Sequence, residues 1–155
     1  MKYADSIHDD SYQLGLEFQD YVIDELRERF GIMIQAYSSK SYQYERGENP
    51  QGWEIKLDNR CTDSKRLSIE VAEKTKKDDA APWIPSGICR DDNTLFYIQG
   101  NKARFYLFMK KHLCMIHKRE STNVEEKHGT IKTFYISFKL ADEIGICVEC
   151  RGHDG

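Results

Sequence analysis

Two short runs near the middle of the chain, "GWEIKLD" (Gly52–Asp58) and "RLSIEVAEK" (Arg66–Lys74), alternate apolar and charged residues at period two. Side chains on a strand point to opposite faces in turn. Trp53, Ile55 and Leu57 therefore share one face, with Glu54, Lys56 and Asp58 on the other. Leu67, Ile69 and Val71 likewise oppose Ser68, Glu70, Ala72 and Lys74. A strand pair with one apolar and one charged face is the commonest antiparallel pattern in soluble proteins. The segment between the runs reads as a turn near Cys61–Ser64. It predicts an antiparallel hairpin, with Glu54 roughly opposite Glu70 and Asp58 roughly opposite Arg66.

Upstream, Leu14, Phe18, Tyr21, Val22, Leu26 and Phe30 recur at helical spacing, and Gly31 stands where a C-terminal cap belongs. "IMIQAYSS" (Ile32–Ser39) reads as a strand, "KSYQYERGENPQG" as a polar loop and "KKDDAAPWIPSG" as a proline-broken loop. Downstream, two strands flank Gly100-Asn101, a hairpin signal. "KKHLCMIHKR" reads as a short helix, "ESTNVEEKHGT" as a loop and "IKTFYISFKL" as a strand; the tail from Ala141, "ADEIGICVECRGHDG", has no clear pattern. The expectation is one α/β domain over 1–155, core about 11–145, with a mixed central sheet and a leading N-terminal helix.

Composition bounds the function classes. A net charge of −3 excludes a general polycation. No apolar run approaches the roughly 18 residues of a membrane span, and the N-terminus lacks the basic-then-apolar pattern of a signal peptide. Five scattered cysteines suit reduced thiols and a cytoplasmic setting.

The charged face of the two runs has a plain reading: a solvated strand surface with weak cross-strand pairs. Glu54 directly opposite Glu70 would repel, however, and a divalent cation between them would remove the repulsion. Mg²⁺ or Mn²⁺ takes oxygen ligands, usually one or two carboxylates with water or phosphate. Lys56 and Lys74, on the same face, could stabilise charge on a phosphate or handle the attacking water.

A helix with an internal glutamate ("GLEFQD"), an acid opening a "GxE" strand ("GWEIKLD") and a second acid sixteen residues on ("IEVAEK") together resemble the PD-(D/E)XK, or restriction-endonuclease-like, nuclease superfamily, in particular its small phage- and prophage-type members. The resemblance covers Leu14 to Thr75. It implies a restriction-endonuclease-like fold and a divalent-metal-dependent nuclease acting on DNA or RNA, in a bacterial or phage-infected cytoplasm, with DNA the expected partner, no membrane, and homodimerisation left open. It implies Glu54 and Glu70 as the motif acids and Glu17 as the helix glutamate. The implied catalytic set is Glu54, Glu70, Lys56 and Lys74, and the implied metal ligands are Glu17, Glu54, Asp58 and Glu70. The family pattern expects lysine two residues after the second acid, where this chain has Ala72, and two tandem strands after Asn93 fit the family order poorly. The alternative is a catalytically inactive relative that binds nucleic acid or a host protein.

Glu17 shares a stripe with Phe18 and Tyr21, and it has a plain role open to it as the partner of a lysine such as Lys56. "CVEC" (Cys147, Cys150) with His153 falls short of the four ligands of a structural zinc site. Tyr37, Tyr42, Tyr44, Trp53 and Trp83 are candidate base-stacking surfaces, set against the plainer role of loop anchors.

Overall fold

The computed structural model describes residues 2–35, 51–119 and 123–149, with side chains from residue 10 onward. The predicted strand Ile32–Ser39 is irregular over 32–35, and its remainder lies outside the described residues, as do Tyr37, Tyr42, Tyr44, Cys150 and His153.

The chain opens with helix α1 (Lys2–Phe30). The helix ends where Gly31 enters the left-handed region (φ 68°) and donates its N–H to Arg27 O. Its inward stripe is Phe18, Val22 and Leu26, all fully buried. These pack on Ile98, Phe105 and Val148, and each contributes about 1.5–3 kcal/mol by leaving water. Leu14 and Phe30, also on the predicted stripe, are about half exposed.

Among the described residues, two four-stranded sheets follow. The first has the order β1 (Trp53–Leu57), β4 (Phe96–Gly100), β5 (Arg104–Met109), β8 (Ile146–Glu149). β1 runs parallel to β4 and the other pairs are antiparallel, so this sheet is mixed. The second has the order β3 (Ile84–Pro85), β2 (Arg66–Glu73), β7 (Ile131–Ser137), β6 (Glu125–Lys127), all antiparallel. α1 covers one face of the first sheet. On its other face, Tyr97, Tyr106 and Phe108 meet Leu67, Ile69, Phe134 and Ile136 of the second sheet. Helices α3 (Lys110–Arg119) and α4 (Phe138–Ile144) close this second core with Leu113, Phe138 and Ala141. The result is a helix–sheet–sheet stack with a leading helix and a mixed sheet.

The predicted hairpin is not formed. β1 and β2 belong to different sheets: Glu54 stands beside Tyr97, and Glu70 beside Thr133. The intervening Cys61–Ser64 is one helical turn, α2, closed by Lys65 in the left-handed region (φ 56°). That corner carries the chain from one layer to the next. The apolar triplets Trp53/Ile55/Leu57 and Leu67/Ile69/Val71 consequently serve different cores, the first against α1 and the second between the sheets. Period two identifies each strand and its faces but not its partner.

Three other differences have local causes. The "loop" around Val124 holds edge strand β6, whose Glu-Glu-Lys composition carries little strand signal. "FKL" opens α4 instead of extending β7, because the Ser137 hydroxyl accepts the Leu140 N–H and caps a helix there. The proline loop contributes the two-residue β3 and a 3-10 turn at Gly87–Cys89. The hairpin at Gly100-Asn101 and the helix at Lys110 stand where the sequence predicts them.

Asp92 fastens the loop before β4 to α3. Its carboxylate accepts from Lys110 Nζ at 2.9 Å and from the Thr94 N–H at 2.9 Å. Both side chains are nearly buried. Burial alone would push the Asp92 carboxyl up, but the Lys110 ammonium and the Thr94 N–H outweigh it and hold it below the usual carboxylate range. A carboxyl lowered by folding adds stability above its unfolded pKa, about 3.9, and that stability is lost as pH falls through the lower folded value. Asp92→Asn should therefore cost about 3 kcal/mol near neutral pH. Urea titrations should show the gap to wild type closing as pH falls below about 4; a gap independent of pH would contradict this account.

Candidate functional site

At the junction of the two sheets, the outer edge of β2 has no neighbouring strand along Ser68 among the described residues. Side chains from the first sheet take that place. Asp58 Oδ2 accepts the Ser68 N–H at 2.9 Å, and Gln99 Nε2 donates to Ser68 O at 2.6 Å. Gln99 Nε2 also donates to Asp58 Oδ2 at 3.0 Å, so Asp58, Ser68 and Gln99 close into one ring of bonds. Lys127 of β6 donates to the Ser68 hydroxyl.

A cleft of about 260 Å³ opens beside this clamp. Asp58, Glu70, Lys56 and Lys127 line it, with Gln99 and Thr133; Arg60 and His128 stand at its exposed margin. Of the residues singled out from sequence, Lys56, Asp58 and Glu70 thus meet in one place although their strands do not pair.

Glu70 is fixed from a direction the sequence does not announce. The fully buried Ser86 donates its hydroxyl to Glu70 Oε1 at 2.6 Å, while its own N–H bonds to Val71 O. The next residue, Gly87, lies so close that a Cβ would stand 2.3 Å from Glu70 O, and its φ is 52°. "PSG" in the proline loop is therefore a seat for Glu70, made possible by a residue without a side chain. Among the described residues, Glu70 Oε2 and Asp58 Oδ1 accept no hydrogen bond.

Glu54 lies on the inner side of β1, its side chain only 2% exposed, with Oε1 3.2 Å from Lys56 Nζ. A buried carboxylate needs a compensating charge, and Lys56, one-third exposed, supplies it while also lining the cleft. Glu54 therefore holds one of the cleft's two lysines, Lys56, and it faces Tyr97 in the register where the hairpin reading places Glu70.

Glu17 is exposed and lines a neighbouring depression on the α1 side. That depression adjoins the cleft through Leu57 and Asn59, which line both. The lysine that pairs with Glu54 is the one the sequence offers to Glu17. Lys74 turns away from the cleft: its ammonium stands 4.7 Å from the Trp83 ring centre and bonds to Asp78 O. Lys132, the β7 neighbour of Ala72, also stacks on Trp83, at 4.3 Å. Neither of these lysines lines the cleft, whereas Lys56 does.

Two further cleft residues carry no signal in the sequence. Gln99 and Thr133 are each 3% exposed, and Gln99 Oε1 and Thr133 Oγ1 have no hydrogen-bond partner among the described residues. The amide nitrogen of Gln99 is committed to Asp58 and Ser68, which fixes the amide's orientation and leaves Oε1 a pure acceptor. Cys61, just below the clamp, is a core residue: burial, aided by the Asp58 charge, pushes its thiol up to about 11.

Among the described residues, no three His, Cys, Asp or Glu side chains gather round one point. The cleft's carboxylate donors are a pair, which is within the usual requirement of Mg²⁺.

Two substitutions test this anatomy. Lys56→Met removes the ammonium 3.2 Å from the buried Glu54 Oε1 and should destabilise by about 3 kcal/mol, read by urea unfolding; a loss near zero would mean the pair is not structurally important. Gly87→Ala should cost about 2–3 kcal/mol through strain at positive φ and collision with β2; a neutral effect would rule out the close approach.

Comparison of the chain with protein-family models, with curated proteins and with solved structures finds no match, so the functional reading rests on the chemistry of these residues.

Proposed function

We propose that the protein is a divalent-metal-dependent nuclease acting at the cleft between its two sheets. The observation that carries the reading is that Asp58, Glu70 and Lys56 line one cleft, two carboxylates and an ammonium on three separately fixed supports. The motif likeness around "GWEIKLD" and "IEVAEK" is consistent with it.

Each residue has a chemical task. Asp58 and Glu70 each keep one oxygen clear of hydrogen bonds among the described residues, and these oxygens would hold Mg²⁺ or Mn²⁺. A hard cation at such a pair supplies a water of lowered pKa and neutralises phosphate charge. Lys56, kept in place by buried Glu54, stabilises charge on a phosphoryl oxygen in the cleft. Lys127 and Arg60 add positive charge at the margin, which a chain of net negative charge needs locally if it is to hold a polyanion. Ser86 and the Ser68 clamp hold the two acids in position and thereby spare the reaction the cost of ordering them.

A second reading, a catalytically inactive module that binds nucleic acid, is favoured by one observation. Ala72 stands where the motif expects lysine, and Lys74 and Lys132 are both engaged with Trp83.

The two readings part on Glu70→Ala. Single-stranded and duplex DNA and RNA should be cleaved with Mn²⁺ and left intact in EDTA, and the variant should lose cleavage by at least about a hundredfold. If wild type cuts none of these and calorimetry detects no Mn²⁺ binding, the nuclease reading fails. Retained or tighter nucleic-acid binding by Glu70→Ala would then favour the inactive module.

A further inference from the structure

We infer that the cleft takes a single unpaired nucleotide from a flexible strand, and that Thr133 and Gln99 are its recognition residues. The inference rests on the nucleic-acid reading above and adds the form of nucleic acid and the residues that select it.

Three observations support it. The first is size. About 260 Å³ is just under the ~300–1,000 Å³ of ordinary small-ligand sites. It suits one nucleotide unit and is far too small to admit a stacked double helix. A base inside a duplex keeps its edges paired and its faces stacked, so a site of this size is reached only by a nucleotide already free of its partner or extruded from it.

The second is the floor. Thr133 Oγ1 and Gln99 Oε1 are buried polar oxygens without a partner among the described residues, on side chains that line the cleft. An unpartnered buried polar atom is costly. Gln99 Oε1 can only accept, and so asks for an N–H or O–H from an occupant. The Thr133 hydroxyl can donate or accept. A nucleobase edge offers both kinds of group, and a ribose offers hydroxyls; a bare phosphate ester offers no donor for Gln99. Both oxygens are buried, so an entering base must displace the side chains around them to reach them.

The third is the arrangement of charge. Lys56, Lys127 and Arg60 line the cleft together with the carboxylates of Asp58 and Glu70, around the uncharged Gln99 and Thr133, and the exposed His128 ring stands with them. Cations beside an acceptor-bearing floor match the phosphate and the base edge of one nucleotide. The imidazole offers a face on which the next base can stack.

Thr133→Val provides a clean test, because it removes the hydroxyl at nearly constant volume. Anisotropy titrations in EDTA, where no cleavage intrudes, compare a labelled single-stranded oligonucleotide with the same sequence as a duplex. Wild type should favour the single strand by about tenfold or more, and Thr133→Val should erase most of that preference while leaving duplex binding unchanged. The thermal midpoint of Thr133→Val should equal or exceed that of wild type, since an unpartnered buried hydroxyl has been removed. Thr133→Ser, which keeps the hydroxyl, should bind nearly as wild type does. Equal or tighter duplex binding by wild type would overturn the inference and leave the nuclease reading standing. So would undiminished single-strand affinity in a folded Thr133→Val. If wild type binds neither form, in EDTA or with non-catalytic Ca²⁺ in place of Mn²⁺, the nucleic-acid reading itself fails, and this inference with it.

Discussion

The backbone of Ser68 is the point on which this architecture turns. Along β2 its N–H and C=O face away from β7, toward a position where a neighbouring strand would ordinarily complete the ladder. An uncovered edge of this kind is both a polar cost and an aggregation hazard. Asp58 and Gln99, from the end of β1 and from β4, cover it with two side chains. Three consequences follow from that one substitution of side chains for strand. The two sheets are joined by directional bonds as well as by apolar packing. Asp58 is fixed with one oxygen occupied and one clear. Gln99 is fixed with its amide nitrogen committed and its carbonyl oxygen without a partner among the described residues. The cleft exists because side chains bridge a gap that a strand would have filled.

The hydrogen bonding of the cleft suggests why its residues are so varied. Glu54, nearly buried, keeps Lys56 in place, and Ser86 keeps Glu70 in place. Both restraints reach the cleft from residues that do not line it. Among the described residues, four groups that do line it retain an unmet bond: an oxygen of Asp58, an oxygen of Glu70, the amide oxygen of Gln99 and the hydroxyl of Thr133. Restraint from behind and unmet bonding in front is the pattern of a preorganised binding site.

Much of this is legible in the sequence, and the part that is not has a physical explanation. The 3.6-residue stripe of α1 and the period-two faces of β1, β2 and β7 depend only on local burial, and those elements are present. Pairing is different. Strands β1 and β2 look like a hairpin because each has one apolar face, yet two such faces can as readily serve two cores. What decides between them is the corner at Cys61–Lys65, where a helical turn and a left-handed lysine replace a hairpin loop. Lys56, Asp58 and Glu70 stand out for their chemistry and do share a cleft, though by a route other than strand pairing. Ser86, Gln99 and Thr133 have no signature, since a serine in a loop or a threonine in a strand becomes informative only when its partners, or their absence, are seen. "PSG" offers a hint: a glycine after a buried serine marks a close approach of backbone.

The proposed binding of nucleic acid at the sheet junction is open to a residue-by-residue test. Amide chemical-shift mapping of ¹⁵N-labelled protein, titrated with a single-stranded oligonucleotide in the absence of metal, tests it most directly. The account predicts that the largest shifts cluster at Ser68, Glu70, Gln99, Lys127, His128 and Thr133, with little change along α1. Shifts centred on α1 or on the Trp83 surface, or none at any concentration reached, would contradict it.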